Sequence, residues 1–135
     1  MTAKGTYSVK KWEENNYAEI SREMKMSKAS VVYNMSGEIE GIASVEYLLF
    51  YKYFDATDQH NSSAQYTGLI RFTGTINGLN GSFVMEDHGN FENGAAISSL
   101  RILQGSGQSE LRNIQGKGSY SADKNGAVIE LDYIF

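Results

Sequence analysis

The chain has 135 residues, enough for one domain with a core of its own. Its net charge of −4 argues against a nucleic-acid binder, whose affinity would come from clustered Lys and Arg. The absence of cysteine removes disulfides, thiol nucleophiles and thiolate metal sites, and suits a reducing compartment. Nine tyrosines and six phenylalanines favour strands, and 14 glycines with no proline point to tight turns rather than rigid linkers. The opening MTAKGTYSVKKW has no apolar stretch of signal-peptide length, and the apolar run YLLFY is far too short to span a bilayer. These features lead to the expectation of a cytoplasmic protein with no nucleic-acid and no membrane partner.

Period-2 alternation of apolar and polar residues predicts eight strands, over 5–13, 28–40, 42–54, 64–76, 82–92, 95–104, 116–122 and 127–135. After the first comes ENNYAEISREMKM, residues 14–26, polar with a weak helical spacing of Tyr17, Ile20 and Met24. It reads as a loop with one or two helical turns. Segment 28–40 puts Ala29, Val31, Tyr33, Met35 and Ile39 on one face and polar residues on the other. In 42–54 the odd positions, among them Val45, Tyr47, Leu49 and Tyr51, carry no charge, so they face inward. Glu46 then faces outward, with Leu48, Phe50 and Lys52. Segment 64–76 turns Tyr66, Gly68, Ile70 and Phe72 inward, and 82–92 does so for Phe83, Met85, Asp87, Gly89 and Phe91. Residues 104–115 form a long connection, and the last strand buries Ile129, Leu131, Tyr133 and Phe135.

Asn-Gly pairs at 77–78, 80–81, 93–94 and 125–126 suit hairpin turns. The whole reads as a single all-β domain over residues 1–135, an eight-stranded antiparallel meander closed into a barrel. Leu48 and Phe50 share the outer face with Leu69 and Val84 of the next strands. Such an exposed apolar patch predicts a homo-oligomer interface.

The functional candidate is an acid on an apolar face. Asp87 lies between Met85 and Gly89 in the inner row, where a carboxylate is costly unless paired or protonated. Tyr33, Tyr47, Tyr51, Tyr66, Tyr120 and Tyr133 fall on inner faces too, and Gly68, Gly89 and Gly118 remove bulk there. The candidate ligand site is therefore a cavity formed by Asp87, Tyr47, Tyr51, Tyr33, Tyr66, Met85 and Tyr133, with Glu46 as the alternative acid. The plainer alternative is a hydrated Asp87 near a strand end and tyrosines that are simply core.

GSGQSE, residues 105–110, lacks the Lys-Ser/Thr of a phosphate-binding loop, and His60 and His88 share no ligand spacing. No metal and no cofactor are expected. Three functions remain: a vessel for a small apolar or aromatic ligand; an isomerase or cyclase in which Asp87 is the acid–base group and Tyr47 and Tyr51 position the ligand; and a structural oligomeric module with a filled core.

The segments GTYSVKKWEE, SKASVVYNMSGEIEG, YTGLIRFTGTINGLNGSFVMEDHGNFENG, GSGQSELRNIQGKGSYSA and GAVIELDYIF, in that order, resemble a family of small, mostly bacterial proteins of unknown function. The resemblance runs almost end to end and implies a calycin-type barrel like that of allene oxide cyclase, often assembled into oligomers. It does not imply cyclase activity, because fold is not function. It also suggests a polar site at the positions of Glu46, Ile70 and Asp87. Ile70 stands where relatives often carry Glu, and Asp87 where they often carry His, so this chain would keep only part of such a site.

Overall fold

A computed structural model describes all residues, 1–135. The strands are β1 (Thr2–Glu19), β2 (Lys25–Gly37), β3 (Ile39–Tyr53), β4 (Ser63–Ile76), β5 (Leu79–Glu92), β6 (Ala95–Ile102), β7 (Gln108–Ser109), β8 (Gln115–Asp123) and β9 (Gly126–Ile134). A short 3-10 turn, Gln59–Asn61, lies between β3 and β4. No helix is long and apolar enough to cross a membrane.

Every pairing is antiparallel. Strands β1 to β6 pair with their neighbours in sequence, β6 passes over to β8, β8 pairs with β9, and β9 returns to β1. The nine-stranded sheet is thus ring-like, with the short β7 attached to the start of β5. The expected count of eight is corrected to nine by β7, a two-residue strand too brief to show a period in sequence.

The Asn-Gly pairs divide. Asn77-Gly78 and Asn93-Gly94 take positive φ at both residues (48° and 85°; 55° and 75°), as two-residue hairpin turns require. The turn before β9 instead centres on Lys124 and Asn125, and Asn80-Gly81 lies inside β5. At Gly81 a side chain would strike the Gln108 carbonyl and Leu111, so this glycine serves the close approach of β7 and not a turn.

The largest correction concerns residues 14–26. They form no helix. β1 runs on to Glu19, a tight turn follows, and β2 begins at Lys25. Backbone pairing with β2 holds this polar stretch extended, Glu14 opposite Ala29 and Glu19 opposite Lys25. Two β-bulges interrupt that pairing, one between Val9 and Lys11 and one between Asn16 and Ala18. The first has a direct consequence for the interior. One extra residue moves every later side chain to the other face. Trp12 and Glu14 therefore stand opposite Val31 and Ala29, which are buried.

The interior is filled at one end. Phe72, Phe83, Ile39, Ile70, Ile76 and Leu131 pack there, all at 2% exposure or less. The connection before β8 contributes Leu111 and Ile114, both fully buried, as a stopper.

Candidate functional site

The other end of the ring is open. A cavity of about 520 Å³ lies there, walled by Tyr7, Trp12, Tyr47, Tyr51, Tyr66 and Phe91. Its rim includes Glu14, the 3-10 turn with His60, and the β8–β9 hairpin with Asp123.

The inner glycines do not leave empty space; rings occupy it. A Cβ on Gly68 would sit 2.8 Å from the Tyr47 ring, and one on Gly89 would overlap the Tyr66 phenol and the Ser98 hydroxyl. Tyr47 and Tyr66 in turn meet edge to face, 5.3 Å between centroids. Tyr7 meets Tyr33 and Tyr120 in the same way, at 5.1 and 5.6 Å.

Below the rings lies a cluster of hydroxyls. The Tyr33 and Tyr47 oxygens are 3.1 Å apart, Tyr47 and Tyr120 are 3.0 Å apart, and Tyr120 and Tyr66 are 3.2 Å apart. Tyr66 also bonds Ser98. Tyr120 donates to Asp87 Oδ2 at 2.8 Å. Asp87 has no exposed surface, and its Oδ1 has no partner.

A phenol has one proton to give. Tyr120 has three oxygen neighbours. With Asp87 ionised, the Tyr120 proton goes to the carboxylate and Tyr47 donates to Tyr120, while the geometry lets Tyr66 only accept from Tyr120. Tyr33 then donates to Tyr47, and Ser98 to Tyr66. The Tyr33, Tyr47 and Tyr120 protons all point toward Asp87.

Burial raises the Asp87 carboxyl above the usual carboxylate range, and the hydroxyls of Tyr120, Ser98 and Tyr47 oppose that rise. Burial likewise pushes the Tyr33 phenol up to about 12. Tyr7, Tyr47, Tyr51 and Tyr120 are raised further, again first by burial. The phenols keep their protons at neutral pH and act as neutral donors.

A second carboxylate lies at the rim. Glu14 Oε2 accepts from the Tyr51 hydroxyl at 2.6 Å, and Oε1 accepts from Trp12 Nε1 at 3.1 Å. These bonds hold the carboxylate at the edge of the aromatic wall. No group of three or more His, Asp or Glu side chains converges as a metal site would need.

The profile of a family described as "Protein of unknown function (DUF3224)" matches residues 3–133. The chain belongs to the DUF3224 family. Its fold is similar to the crystal structure of a DUF3224 protein of unknown function from Shewanella oneidensis MR-1. That likeness has a TM-score of 0.79 at 23% identity and covers 100% of this chain and 96% of the other. No curated protein matches the chain.

In this DUF3224 chain the predicted site residues part company. Tyr33, Tyr47, Tyr51 and Tyr66 line the cavity together. Asp87 lies behind Tyr120 and does not line it. Met85 is packed in the core at 1% exposure. Tyr133 is at the filled end, where its hydroxyl accepts from Asn77 Nδ2 at 2.7 Å. Met85 and Tyr133 thus face the interior but lie outside the cavity, which corrects their expected place in it: parity does not tell height along the ring.

Glu46 is exposed on the outer face and accepts from Ser30 Oγ at 2.6 Å, so it does not share a site with Ile70 or Asp87. Leu48 and Leu69 beside it are half exposed, while Phe50 and Val84 are partly buried. Among the residues sequence reasoning missed, Trp12 and Glu14 matter most. Unbroken alternation from Tyr7 would have turned both outward. Tyr120 was legible as an inner residue, but its position between Asp87 and the cavity was not.

Proposed function

We propose that the ring is a small β-barrel of the allene-oxide-cyclase-like type whose open end takes up a small apolar or aromatic molecule. The observation that carries this reading is the cavity of about 520 Å³, aromatic on its walls and hydroxyl-bearing at its floor. That volume lies in the range of small-molecule sites, and an apolar lining with a few convergent polar groups is their usual composition. A filled-core module would have no need of such a space. The rings would stack on the body of the ligand, and the Tyr33 hydroxyl would meet a polar atom at its inner end.

Native mass spectrometry tests the reading. A co-purifying small molecule, lost in Tyr47→Ala but kept in the surface variant Glu46→Gln, is the expected result. Absence of any bound mass, together with no thermal shift across a panel of apolar and aromatic compounds, would overturn it.

One observation favours an enzymatic variant of this reading. Asp87 is buried, raised and joined to the cavity only through Tyr120 and its hydroxyl neighbours. In an isomerase or cyclase, Tyr120 or Tyr33 would exchange a proton with the ligand while Asp87 tunes that chain from behind. Asp87→Asn would then lower turnover of a ligand that it leaves bound; equal loss of binding and turnover would reject the variant. The half-exposed Leu48 and Leu69 support homo-oligomer assembly as a proposal for the outer face.

A further inference from the structure

The charge around the cavity points to a narrower ligand class. This step rests on the cavity-binding reading above. We propose that the ligand is an organic cation, an amine or quaternary ammonium group carried on an apolar body, with the cationic group held at the rim by Glu14 and the rings beside it.

The cavity lining is short of positive charge. Glu14 and Asp123 are the acidic residues on the lining, and no Lys or Arg belongs to it; His60 is the sole group there able to carry a positive charge. Asp87 adds a third carboxyl behind the floor. A carboxylate, sulfonate or phosphate ligand would enter without a cationic partner, and burying an unpaired anion is costly. A cation would find the opposite.

Each Glu14 carboxylate oxygen accepts one bond, from Tyr51 and from Trp12, which fixes the group in place. A carboxylate has about four acceptor sites, so two remain for a ligand. Trp12 and Tyr51 both bond the carboxylate, and Trp12 lies 6.3 Å from the Tyr47 ring, tilted by 30°, so aromatic rings gather around the held carboxylate. Aromatic faces attract a cation through the ring quadrupole, Trp most strongly, and more so where water is excluded. A fixed carboxylate among aromatic rings is the arrangement that recognises ammonium groups.

The chain makes a local exception to place these groups. The β-bulge between Val9 and Lys11 turns Trp12, still 46% exposed, and Glu14 to the cavity side. Bulges of this kind re-aim side chains and gather near functional sites.

The test uses three probes of one shape: phenyltrimethylammonium, tert-butylbenzene and benzenesulfonate. Trp12 is the protein's single tryptophan and stands in the cavity wall, so its fluorescence reports binding directly. Thermal shift gives a second readout. The expected result is that phenyltrimethylammonium binds about tenfold tighter than tert-butylbenzene, with benzenesulfonate weakest. In Glu14→Gln the cation-to-neutral ratio should collapse toward one, and in Glu14→Lys the order of the two charged probes should reverse. Glu14 is partly exposed, and unchanged melting of the free variants would confirm that they fold.

If the neutral probe binds as well as the cation, or the anion binds best, the cation proposal is overturned while the cavity reading stands. If none of the three moves Trp12 fluorescence or the melting point, the cavity reading falls and takes the proposal with it. A cation preference that survives Glu14→Gln unchanged also overturns it.

Discussion

At the scale of single residues, Tyr120 holds the site together. Its one proton serves Asp87, its lone pair receives Tyr47, and the Tyr66 oxygen lies 3.2 Å away. Tyr120→Phe leaves a buried carboxyl and two hydroxyls short of a partner, whereas Tyr33→Phe removes only the outer end of the chain. Tyr120→Phe should cost about 1–3 kcal/mol, and Tyr33→Phe clearly less, read from urea midpoints at constant slope. Asp87 makes a pH prediction. Its folded value is raised above the unfolded one, so the folded state holds the proton more tightly between the two. Its contribution to stability is fully present below the ordinary carboxylate range and is lost as pH rises through the folded value. Asp87→Asn should flatten that part of the stability–pH curve; an unaltered slope would show that the carboxyl is not the cause. Gly89→Ala should destabilise by about 1–3 kcal/mol, because its methyl must displace the Tyr66 phenol. The acid was legible from sequence because a carboxylate in an apolar row is an anomaly that alternation exposes. Its partner was not, because Tyr120 is 33 residues away and only the ring brings them together.

At the scale of elements, β1 decides the character of the open end. β9 pairs with it only over Thr2–Thr6, and beyond that point β1 lines the cavity with its own side chains. Deleting Lys10 removes the extra residue of the first bulge. With Lys10 gone Val9 still faces Tyr33 and Lys11 still faces Val32, so the ladder becomes regular; Trp12 and Glu14 should keep facing inward, with tryptophan emission unshifted and any preference for a cationic probe retained. A red-shifted spectrum would mean that pairing with β2 slips by one residue once the bulge is lost. This region is also where sequence reading fell short. The strands from β2 to β5 are long and alternate cleanly, so their faces could be read residue by residue. The second half of β1 is polar, because much of it faces water and its inner row holds Trp12 and Glu14 rather than aliphatic residues. Neither bulge is marked by glycine or by a positive φ. Nothing local announces them, since it is pairing with β2 that creates them.

At the scale of the whole molecule, the ring separates two tasks. Aliphatic side chains and the Leu111–Ile114 stopper fill one end, while tyrosines line the other. Leu111→Ala should therefore cost about 2–5 kcal/mol without altering the binding of any probe at the open end. The outer face carries Leu48 and Leu69, half exposed on adjacent strands. If copies assemble there, Leu69→Glu should lower the sedimenting mass; an unchanged mass would reject that face. Ring closure has a consequence for the way the protein is made. Seven of the eight joints in the ring link strands that follow one another, apart from the brief β7. The eighth joins β1 to β9, with Gly5 opposite Ile129. During synthesis β1 must wait for almost the entire chain before it meets its second partner, and contacts so distant in sequence form slowly. Tyr120 also emerges late, after Tyr33, Tyr47 and Asp87. A nascent chain halted before β8 leaves the ribosome with a charged acid and no phenol to receive it. The closed ring exists only when its last strand has been delivered.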